Sequence, residues 1–256
     1  MRGVRIGLVC SVGAALLMVA GVSRAADDGD ARDLMKRVLD AVPKAAFSAK
    51  AKLTSDRGWV RELSMSHKHL NDLDATYMEV TAPMDLKDTR FLLLDRAVGR
   101  DEQFIYIPNI KRTIQVSAET RKQAFLGSDF YVYDMVRPEF DAYTYSFAGE
   151  ETVAGHPCKL VQSVPKNPAE DLYSKSILAI DPTDLTVWRT QFFDQSGKLF
   201  KVWTLEKLEK IDGNSTPSTQ KMVNVQDKHE SELQLLEVKY NPELPDEMFQ
   251  RSYLSH

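Results

Sequence analysis

The sequence offers few side chains at a spacing that suits catalysis. Ser128 follows Gly127, but its neighbours do not complete the Gly-x-Ser-x-Gly turn that exposes the nucleophile of many hydrolases. Ser128 and Asp129 are instead typical of a turn, where both side chains form local hydrogen bonds with the backbone. We find no pairing of a nucleophile with a base and expect no catalytic residues and no enzyme activity.

Two histidines have the spacing of half a metal site. His67 and His69 are two residues apart in a predicted strand, so both side chains project from one face. The other three histidines are scattered along the chain, so no third ligand is apparent. Cys158 is expected to be a buried thiol without special reactivity. We expect no metal and no cofactor.

The N-terminus has the features of an export signal. Two arginines precede an apolar run over residues 6–20, and Ser23 and Ala25 are small residues at the positions that a signal peptidase recognises. The run is short for a membrane span, although an uncleaved anchor is the alternative. We predict a signal peptide at residues 1–25, cleaved after Ala25, and a periplasmic domain at residues 26–256.

Charge and cysteine content limit the function classes further. Removing the signal's three arginines leaves 30 Lys+Arg against 37 Asp+Glu, a net charge of −7 for the mature chain. This balance argues against binding to nucleic acid and against electrostatic docking on anionic lipid. Because Cys10 lies in the signal, Cys158 has no partner for an intramolecular disulfide. Stability must therefore come from a packed core.

Hydrophobic periodicity predicts one helix followed by many strands. Asp30 can cap a helix whose apolar stripe includes Leu34, Val38 and Leu39 and which ends at Pro43. Beyond Ala46 the period is two. The predicted strands are 49–53, 60–68, 75–81, 90–95, 103–107, 112–116, 143–149, 159–164, 175–180, 187–194, 198–208, 221–226 and 232–240. Without alternating helices, they indicate a mainly β, antiparallel single domain.

A sheet of this width must curl, and its apolar concave face needs a filler. The helix and the aromatic segment near residues 125–135 are modest covers for it, so an apolar cavity is one interpretation. The alternative is that the protein's own aromatic side chains fill the space. Candidate cavity residues are Leu53, Leu63, Met65, Phe91, Leu93, Phe104, Tyr106, Phe147, Trp188, Phe192 and Trp203. In adjacent apolar pairs such as Phe104 and Ile105, the sequence does not show which of the two side chains faces inward.

Residues 125–135 read Phe-Leu-Gly-Ser-Asp-Phe-Tyr-Val-Tyr-Asp-Met. This run resembles the signature of the outer-membrane lipoprotein-sorting protein family, relatives of the LolA carrier. Supporting similarities occur at residues 77–83, 87–92 and 106–112, at Gly155 with residues 158–160, at Asp181-Pro182 before Trp188, and at residues 244–249. They extend over nearly the whole mature chain.

The resemblance implies a half-open antiparallel β-barrel with covering helices over an apolar cavity. It implies a carrier of a lipid or lipoprotein acyl chain, with an RND-type membrane transporter as a partner. A lipid-sensing regulatory or protein-interaction module of the same fold is the alternative. Lid or motif residues carried over from the signature are Phe125, Gly127, Ser128, Asp129, Phe130 and Tyr133. Phe130 and Tyr133 could equally be core residues that fix the segment.

Overall fold

The computed structural model describes residues 24–71, 73–96, 101–136 and 139–256, with the side chains of residues 24–29 excepted. The predicted signal peptide, residues 1–25, lies almost entirely outside these ranges, so it stays a prediction. No helix within the described ranges combines the length and apolar character needed to cross a membrane.

One antiparallel sheet dominates the described residues. It contains thirteen strands in the order β6-β5-β4-β3-β2-β1-β13-β12-β11-β10-β9-β8-β7. Each strand pairs with its neighbour in sequence, except that β1 pairs with β13 and β6 does not pair with β7. The strands are β1 Phe47–Ser55, β2 Val60–Leu70, β3 Leu73–Ala82, β4 Arg90–Arg96, β5 Glu102–Ile107, β6 Arg112–Gln115, β7 Tyr143–Val153, β8 His156–Pro165, β9 Lys175–Ile180, β10 Val187–Phe193, β11 Leu199–Ile211, β12 Asn214–Asn224 and β13 His229–Tyr240.

The predicted strands match this sheet closely, with one clear difference at β12. This strand begins at Asn214, although the sequence predicted its start at residue 221. Pro217 made the earlier part look unlike a strand, because proline cannot donate to a ladder of hydrogen bonds. In the structure Pro217 pairs with Leu208 next to a register shift, where an irregular ladder accommodates it.

Within the described residues one long helix, α1 (Arg24–Asp40), packs against β7. Its predicted apolar stripe is confirmed, because Ala31, Leu34, Met35 and Val38 are buried against the sheet in a cluster that includes Val161. The helix ends three residues before Pro43, which cannot continue a helix.

The connection between β6 and β7 joins the two opposite edges of the sheet. It therefore has to cross the sheet, and it does so with a short helix, α2 (Ala118–Arg121), and 3-10 turns at Phe125–Gly127 and Val132–Met135. Phe125, Phe130 and Val132 are buried in the main core cluster. Topology thus brings the signature segment onto the same side as that core.

The C-terminal residues cover the other side of the first half of the sheet. Phe249 and Leu254, in 3-10 turns at Asp246–Phe249 and Arg251–Ser255, form a separate cluster with Leu92 and Phe104. Because adjacent strand residues face opposite ways, Leu93 and Ile105 belong instead to the main core. The first half of the sheet therefore has apolar groups on both faces.

Candidate ligand cavity

A cavity of about 600 Å³ lies between the sheet, α1 and the crossing segment. This volume falls within the range of roughly 300–1,000 Å³ that is typical of ligand pockets. Three elements supply its apolar lining: Met35, Val38 and Leu39 from α1; Phe130, Met135 and Val136 from the crossing segment; and Leu178, Val187, Phe192, Trp203, Met222 and Leu233 from the sheet. The concave side of the sheet is thus only partly filled by side chains of the described residues.

A chain of hydrogen bonds forms the polar wall of this cavity. Tyr143 donates to the carboxylate of Asp171 at 2.5 Å, and the hydroxyls of Tyr133 and Tyr143 lie 3.0 Å apart. Asp171 also accepts from the backbone N–H of Tyr173 at 3.0 Å. Burial, and then the neighbouring hydroxyl and carboxylate, raise the pKa of Tyr143 well above its usual value. These hydroxyls remain neutral donors at any physiological pH.

The signature motif is anchored to the sheet by Asp129. Its carboxylate accepts a hydrogen bond from the hydroxyl of Ser231 at 2.7 Å, and its backbone N–H donates to the same hydroxyl at 3.0 Å. The imidazole of His229 contacts the other carboxylate oxygen. Because Ser231 and His229 belong to β13, these contacts fix the crossing segment against the middle of the sheet.

Local turn geometry explains the residues around Asp129. Gly127 has a φ of +79°, in the left-handed region that glycine adopts without strain. The hydroxyl of Ser128 donates to the carbonyl of Phe125 at 2.6 Å, as the sequence predicted for a turn residue. Ser128 is buried and has no histidine within this arrangement to activate it. Its observed contacts are structural.

A buried lysine joins β11 to the crossing segment. The side chain of Lys201 is completely buried, and its Nζ lies 3.4 Å from the carboxylate of Asp134 and 3.0 Å from the centroid of the Tyr131 ring. Asp134 also accepts from the hydroxyl of Tyr173 at 2.6 Å and from the backbone N–H of Tyr131 at 2.7 Å. Burial lowers the pKa of Lys201 to about 8, although Asp134 favours the charged form.

A second cavity of about 320 Å³ borders the same segment. Asp134, Met135 and Val136 line both cavities. The remaining lining of the smaller cavity is mixed, with Val42 and Leu93 as apolar residues and His67, Asp74, Thr76 and Asp95 as polar ones. Residues 134–136 therefore border both cavities, and each cavity has apolar and acidic residues in its lining.

Seven of the eleven predicted cavity residues belong to or pack against the main core cluster, and three of these seven line a cavity. The main core cluster contains Leu53, Leu63, Phe91 and Leu93 as buried members, with Met65, Phe192 and Trp203 packed against it. Two of these, Phe192 and Trp203, line the larger cavity, and Leu93 lines the smaller one. Of the predicted lid residues, Phe130 and Tyr133 line the larger cavity, and Phe130 is also buried in the core.

Four predicted cavity residues lie elsewhere. Phe104 and Tyr106 face the C-terminal turns, so assigning them to the concave side was wrong. The sequence could not show that a second apolar layer covers that face. Phe147 packs in the cluster beneath α1, and Trp188 belongs to a fourth cluster, where it stacks on His156 with ring centroids 3.9 Å apart.

Several lining residues were missed by the sequence prediction. Met35, Val38 and Leu39 were recognised as a helix stripe but not as cavity residues, because the docking site of a helix is a tertiary property. Lys201 and Asp134 were not singled out either. The available signal was the lysine itself, because it interrupts an otherwise apolar face of a predicted strand. The signature run supplied an aspartate as a possible counter-charge.

The two histidines of the predicted half metal site have hydrogen-bonding partners. Nδ1 of His67 lies 3.0 Å from the hydroxyl of Thr76, and Nδ1 of His69 lies 2.8 Å from the carboxylate of Asp74. The His67 ring also stacks on Phe47. Across the described ranges, no group of three or more His, Cys, Asp or Glu side chains is arranged to hold a metal ion.

A comparison with models of protein families gives a match to this chain. A protein-family model with the description "-like: Uncharacterized protein" matches residues 72–256, which is more than half of the chain. The chain belongs to this family. The matched region contains the crossing segment, Lys201 and β13. A comparison with curated protein sequences gives no match.

Solved structures share the fold. A domain from Vibrio parahaemolyticus, provisionally described as an outer membrane lipoprotein-sorting protein, is 20% identical with a TM-score of 0.83, covering 90% of this chain and 100% of its own. A DUF1329 family protein from Desulfovibrio piger is 22% identical with a TM-score of 0.83, covering 89% and 99%. A LolA superfamily protein from Nitrosomonas europaea is 18% identical with a TM-score of 0.67, covering 87% and 98%.

These likenesses establish the fold. The mainly β, antiparallel architecture predicted from the sequence is confirmed, and so is the resemblance to lipoprotein-sorting and LolA-like proteins. Identities of this size carry no assignment of cargo or partner.

Proposed function

We propose that this protein is a periplasmic carrier that holds an acyl chain of a lipid or lipoprotein in the larger cavity and shuttles it to or from the outer membrane. The observation that carries the proposal is the cavity of about 600 Å³ with apolar side chains from three separate elements. The fold shared with a lipoprotein-sorting domain and a LolA superfamily protein supports it. The proposal involves no catalytic step.

Physical chemistry gives the reason for such a carrier. Exposing an acyl chain to water costs about 0.8 kcal/mol per methylene, so a sixteen-carbon tail is opposed by roughly 12 kcal/mol. A cavity that buries the tail removes most of this barrier to crossing an aqueous compartment. Binding must remain moderate, because a tail that is held too tightly cannot be handed on.

The polar wall suits this task. Tyr133, Tyr143 and Tyr173 present aromatic faces next to the apolar lining while their hydroxyls are held by Asp171 and Asp134. A tail can therefore contact the rings without leaving a buried polar atom unpaired. An RND-type membrane transporter is the proposed partner that supplies or receives the cargo.

Native mass spectrometry of protein purified from its own periplasm tests the carrier function. We expect a co-purified lipid or acylated peptide, lost or strongly reduced in a Phe192→Glu variant, because a charge in the apolar wall opposes binding of the tail. Phe192 is only partly buried, so the variant is expected to fold. A matched control is Phe193→Glu on the same strand. Protein that is free of lipid after gentle purification would contradict the proposal.

A co-purification experiment tests the proposed partner separately. The protein is cross-linked in cells and recovered from detergent-solubilised membranes. Enrichment of an RND-type transporter supports this part of the proposal. Recovery of other membrane proteins but no transporter would oppose it without affecting the lipid-binding result.

A further inference from the structure

The edge strand β6 directs part of its backbone away from the sheet. The N–H of Val116 donates to the carbonyl of Gln103 at 2.8 Å, so these two opposed residues are a hydrogen-bonded pair. Opposed residues of an antiparallel ladder alternate between hydrogen-bonded and non-hydrogen-bonded pairs, and the register between β5 and β6 is regular. Thr113 and Gln115 therefore belong to non-hydrogen-bonded pairs, and their N–H and C=O groups point outward from the sheet. Across the described ranges, no other backbone group pairs with them.

The side chains along this edge are apolar and basic. Ile114 is 46% exposed, and Ile110, in the turn before β6, is 54% exposed. Lys111 and Arg112 lie between them in the chain, and both are exposed. Residues 108–123 contain four cationic residues and one anionic residue, a net charge of +3, whereas the predicted mature chain carries −7. The edge is therefore a basic strip on an acidic protein.

The opposite edge of the sheet, β7, is better protected. Helix α1 packs against this strand. The exposed carboxylates of Glu150 and Glu151 on β7 form ion pairs with Lys159 of β8 and Arg189 of β10. Proteins protect sheet edges with charges and covering elements of this kind, whereas exposed β-branched residues favour pairing with another strand. The exposed isoleucines at β6 thus suit binding of a partner better than protection of an edge.

We propose that β6 binds an extended segment of a partner protein as an additional strand of the sheet, and that this segment carries acidic residues next to an apolar one. The outward backbone groups of Thr113 and Gln115 supply the main-chain hydrogen bonds. Ile114 and Arg112 project to the same face, so an apolar residue opposite Ile114 and a carboxylate opposite Arg112 match both. The edge leads directly into the crossing segment, whose Arg121 lines the larger cavity. This docking surface adds to the proposed carrier function and does not depend on it.

A protein segment fits this edge better than a membrane surface does. The net charge of −7 on the predicted mature chain opposes its approach to anionic lipid. Lipid headgroups offer no regular ladder of donors and acceptors for the outward backbone groups, whereas an extended peptide does. The two occupants can be told apart by experiment, because only strand addition uses these backbone groups.

A designed peptide tests the chemistry of the edge. Fluorescein-labelled Ser-Thr-Val-Thr-Glu-Ser-Glu places its valine opposite Ile114 and its first glutamate opposite Arg112 when it pairs antiparallel to β6. Fluorescence anisotropy at low ionic strength measures its affinity for the lipid-free mature protein. We expect a Kd below about 1 mM, and at least about tenfold weaker binding of the matched peptide with lysine in place of both glutamates.

Proline variants test whether binding uses the backbone of β6. Thr113→Pro removes an outward N–H but leaves the ladder with β5 intact, because that N–H does not point to β5. We expect it to weaken peptide binding at least about tenfold, a factor equivalent to about 1.4 kcal/mol. Thr113→Ala keeps the N–H and should change the affinity less than about twofold. Gln115→Pro removes the other outward N–H and provides the same test if Thr113→Pro does not fold.

Charge variants test the preference for an acidic segment. Arg112→Glu should reverse the preference, so that the lysine peptide binds more tightly than the acidic one. Lys210→Glu, at an exposed position on β11, should leave both affinities unchanged.

The remaining outcomes overturn the proposal. One is an acidic peptide that fails to bind at about 1 mM. Another is equal binding by the unmodified protein, Thr113→Pro and Gln115→Pro, because such a contact involves no strand addition. If sedimentation velocity shows a dimer that Thr113→Pro dissociates, the occupant is a second copy of this chain. Binding to phosphatidylglycerol vesicles in place of the peptide, dependent on Arg112 but unchanged in Thr113→Pro, would identify a membrane. None of these results bears on lipid uptake, which native mass spectrometry tests separately.

Discussion

The anchor between the signature motif and β13 gives a quantitative prediction. The Asp129 side chain is 2% exposed, contacts His229 and accepts from the hydroxyl of Ser231 at 2.7 Å. Asp129→Asn preserves the shape, and its amide oxygen can still accept from Ser231, but the variant removes the negative charge that faces the imidazole of His229. Breaking a buried pair by changing one partner costs about 3–5 kcal/mol, and a lost hydrogen bond to a charged group about 1.5–3. We expect a loss of about 3 kcal/mol in the free energy of unfolding.

A double-mutant cycle with His229→Leu identifies the source of this loss. If the two side chains stabilise the fold through each other, the double variant should be at least about 1 kcal/mol more stable than the sum of the single losses predicts. Urea unfolding followed by tryptophan fluorescence measures each value, with an unchanged slope showing that the same surface is exposed. Asp227→Asn is the control, because this carboxylate is 65% exposed and 3.9 Å from His229.

Strict additivity in this cycle would refute the argument. So would single losses below about 0.5 kcal/mol, which are typical of surface positions. We expect the ligand affinity of the folded Asp129→Asn variant to fall, because Phe130 and Tyr133 line the cavity only while the crossing segment stays in place. An affinity equal to that of the unmodified protein would show that the substitution does not affect the position of this segment.

Three other outcomes are expected. Leu178→Trp should fill part of the larger cavity and weaken hexadecane binding about tenfold. Ile177→Trp, on the opposite face of β9, should leave hexadecane binding unchanged. Equal effects of the two variants would contradict the assigned lining. Phe104→Ala should cost about 3–5 kcal/mol of stability with ligand affinity of the folded protein unchanged, and an affinity loss would place Phe104 in the cavity after all. Burial lowers the pKa of Lys201 from 10.5 to about 8, so between these pH values the unfolded chain holds a proton that the folded chain has released. The free energy of unfolding should therefore rise with pH relative to Lys201→Met across that window; parallel curves for the two proteins would show that Lys201 is not the cause.

The structure also changes which variants are informative. Leu63 and Phe104 are large apolar residues on predicted strands, and both were candidate cavity residues. Both are almost fully buried, at 2% and 4% exposure. Glutamate at either position would bury an unpaired charge and destabilise the fold whatever its effect on binding. Partly buried lining residues such as Phe192 separate the two effects.

The extent of the strands could be predicted because it depends on local properties. Side chains alternate between two faces in every strand, so period-two patterns appear directly in the sequence. Turn residues mark the ends, as at Gly155, where the φ of +86° suits the tight connection between β7 and β8. β9 was predicted with its observed bounds. β12 was not, because accommodation of Pro217 depends on the irregular pairing with Leu208.

The cavity could be predicted only in part. The signature run indicated which segment crosses the concave side. Of the eleven proposed residues, Phe192 and Trp203 line the larger cavity and Leu93 lines the smaller one, whereas Leu53, Leu63, Met65 and Phe91 belong to or pack against the main core. The faces of β4 and β5 were undetermined, because Leu92 and Leu93, like Phe104 and Ile105, are all apolar. The C-terminal turns bury one member of each pair and leave the other to the concave side.

By itself, the sequence determined that the chain forms one helix and a broad antiparallel sheet, and its signature run indicated the fold family. These properties follow from short-range patterns and local motifs. Only the tertiary structure decided that β1 pairs with β13, which places β6 and β7 at opposite edges and forces their connection across the sheet. That crossing brings Asp134 to Lys201, two residues 67 positions apart. Contacts at such separations depend on how the whole sheet is assembled, which no local pattern records.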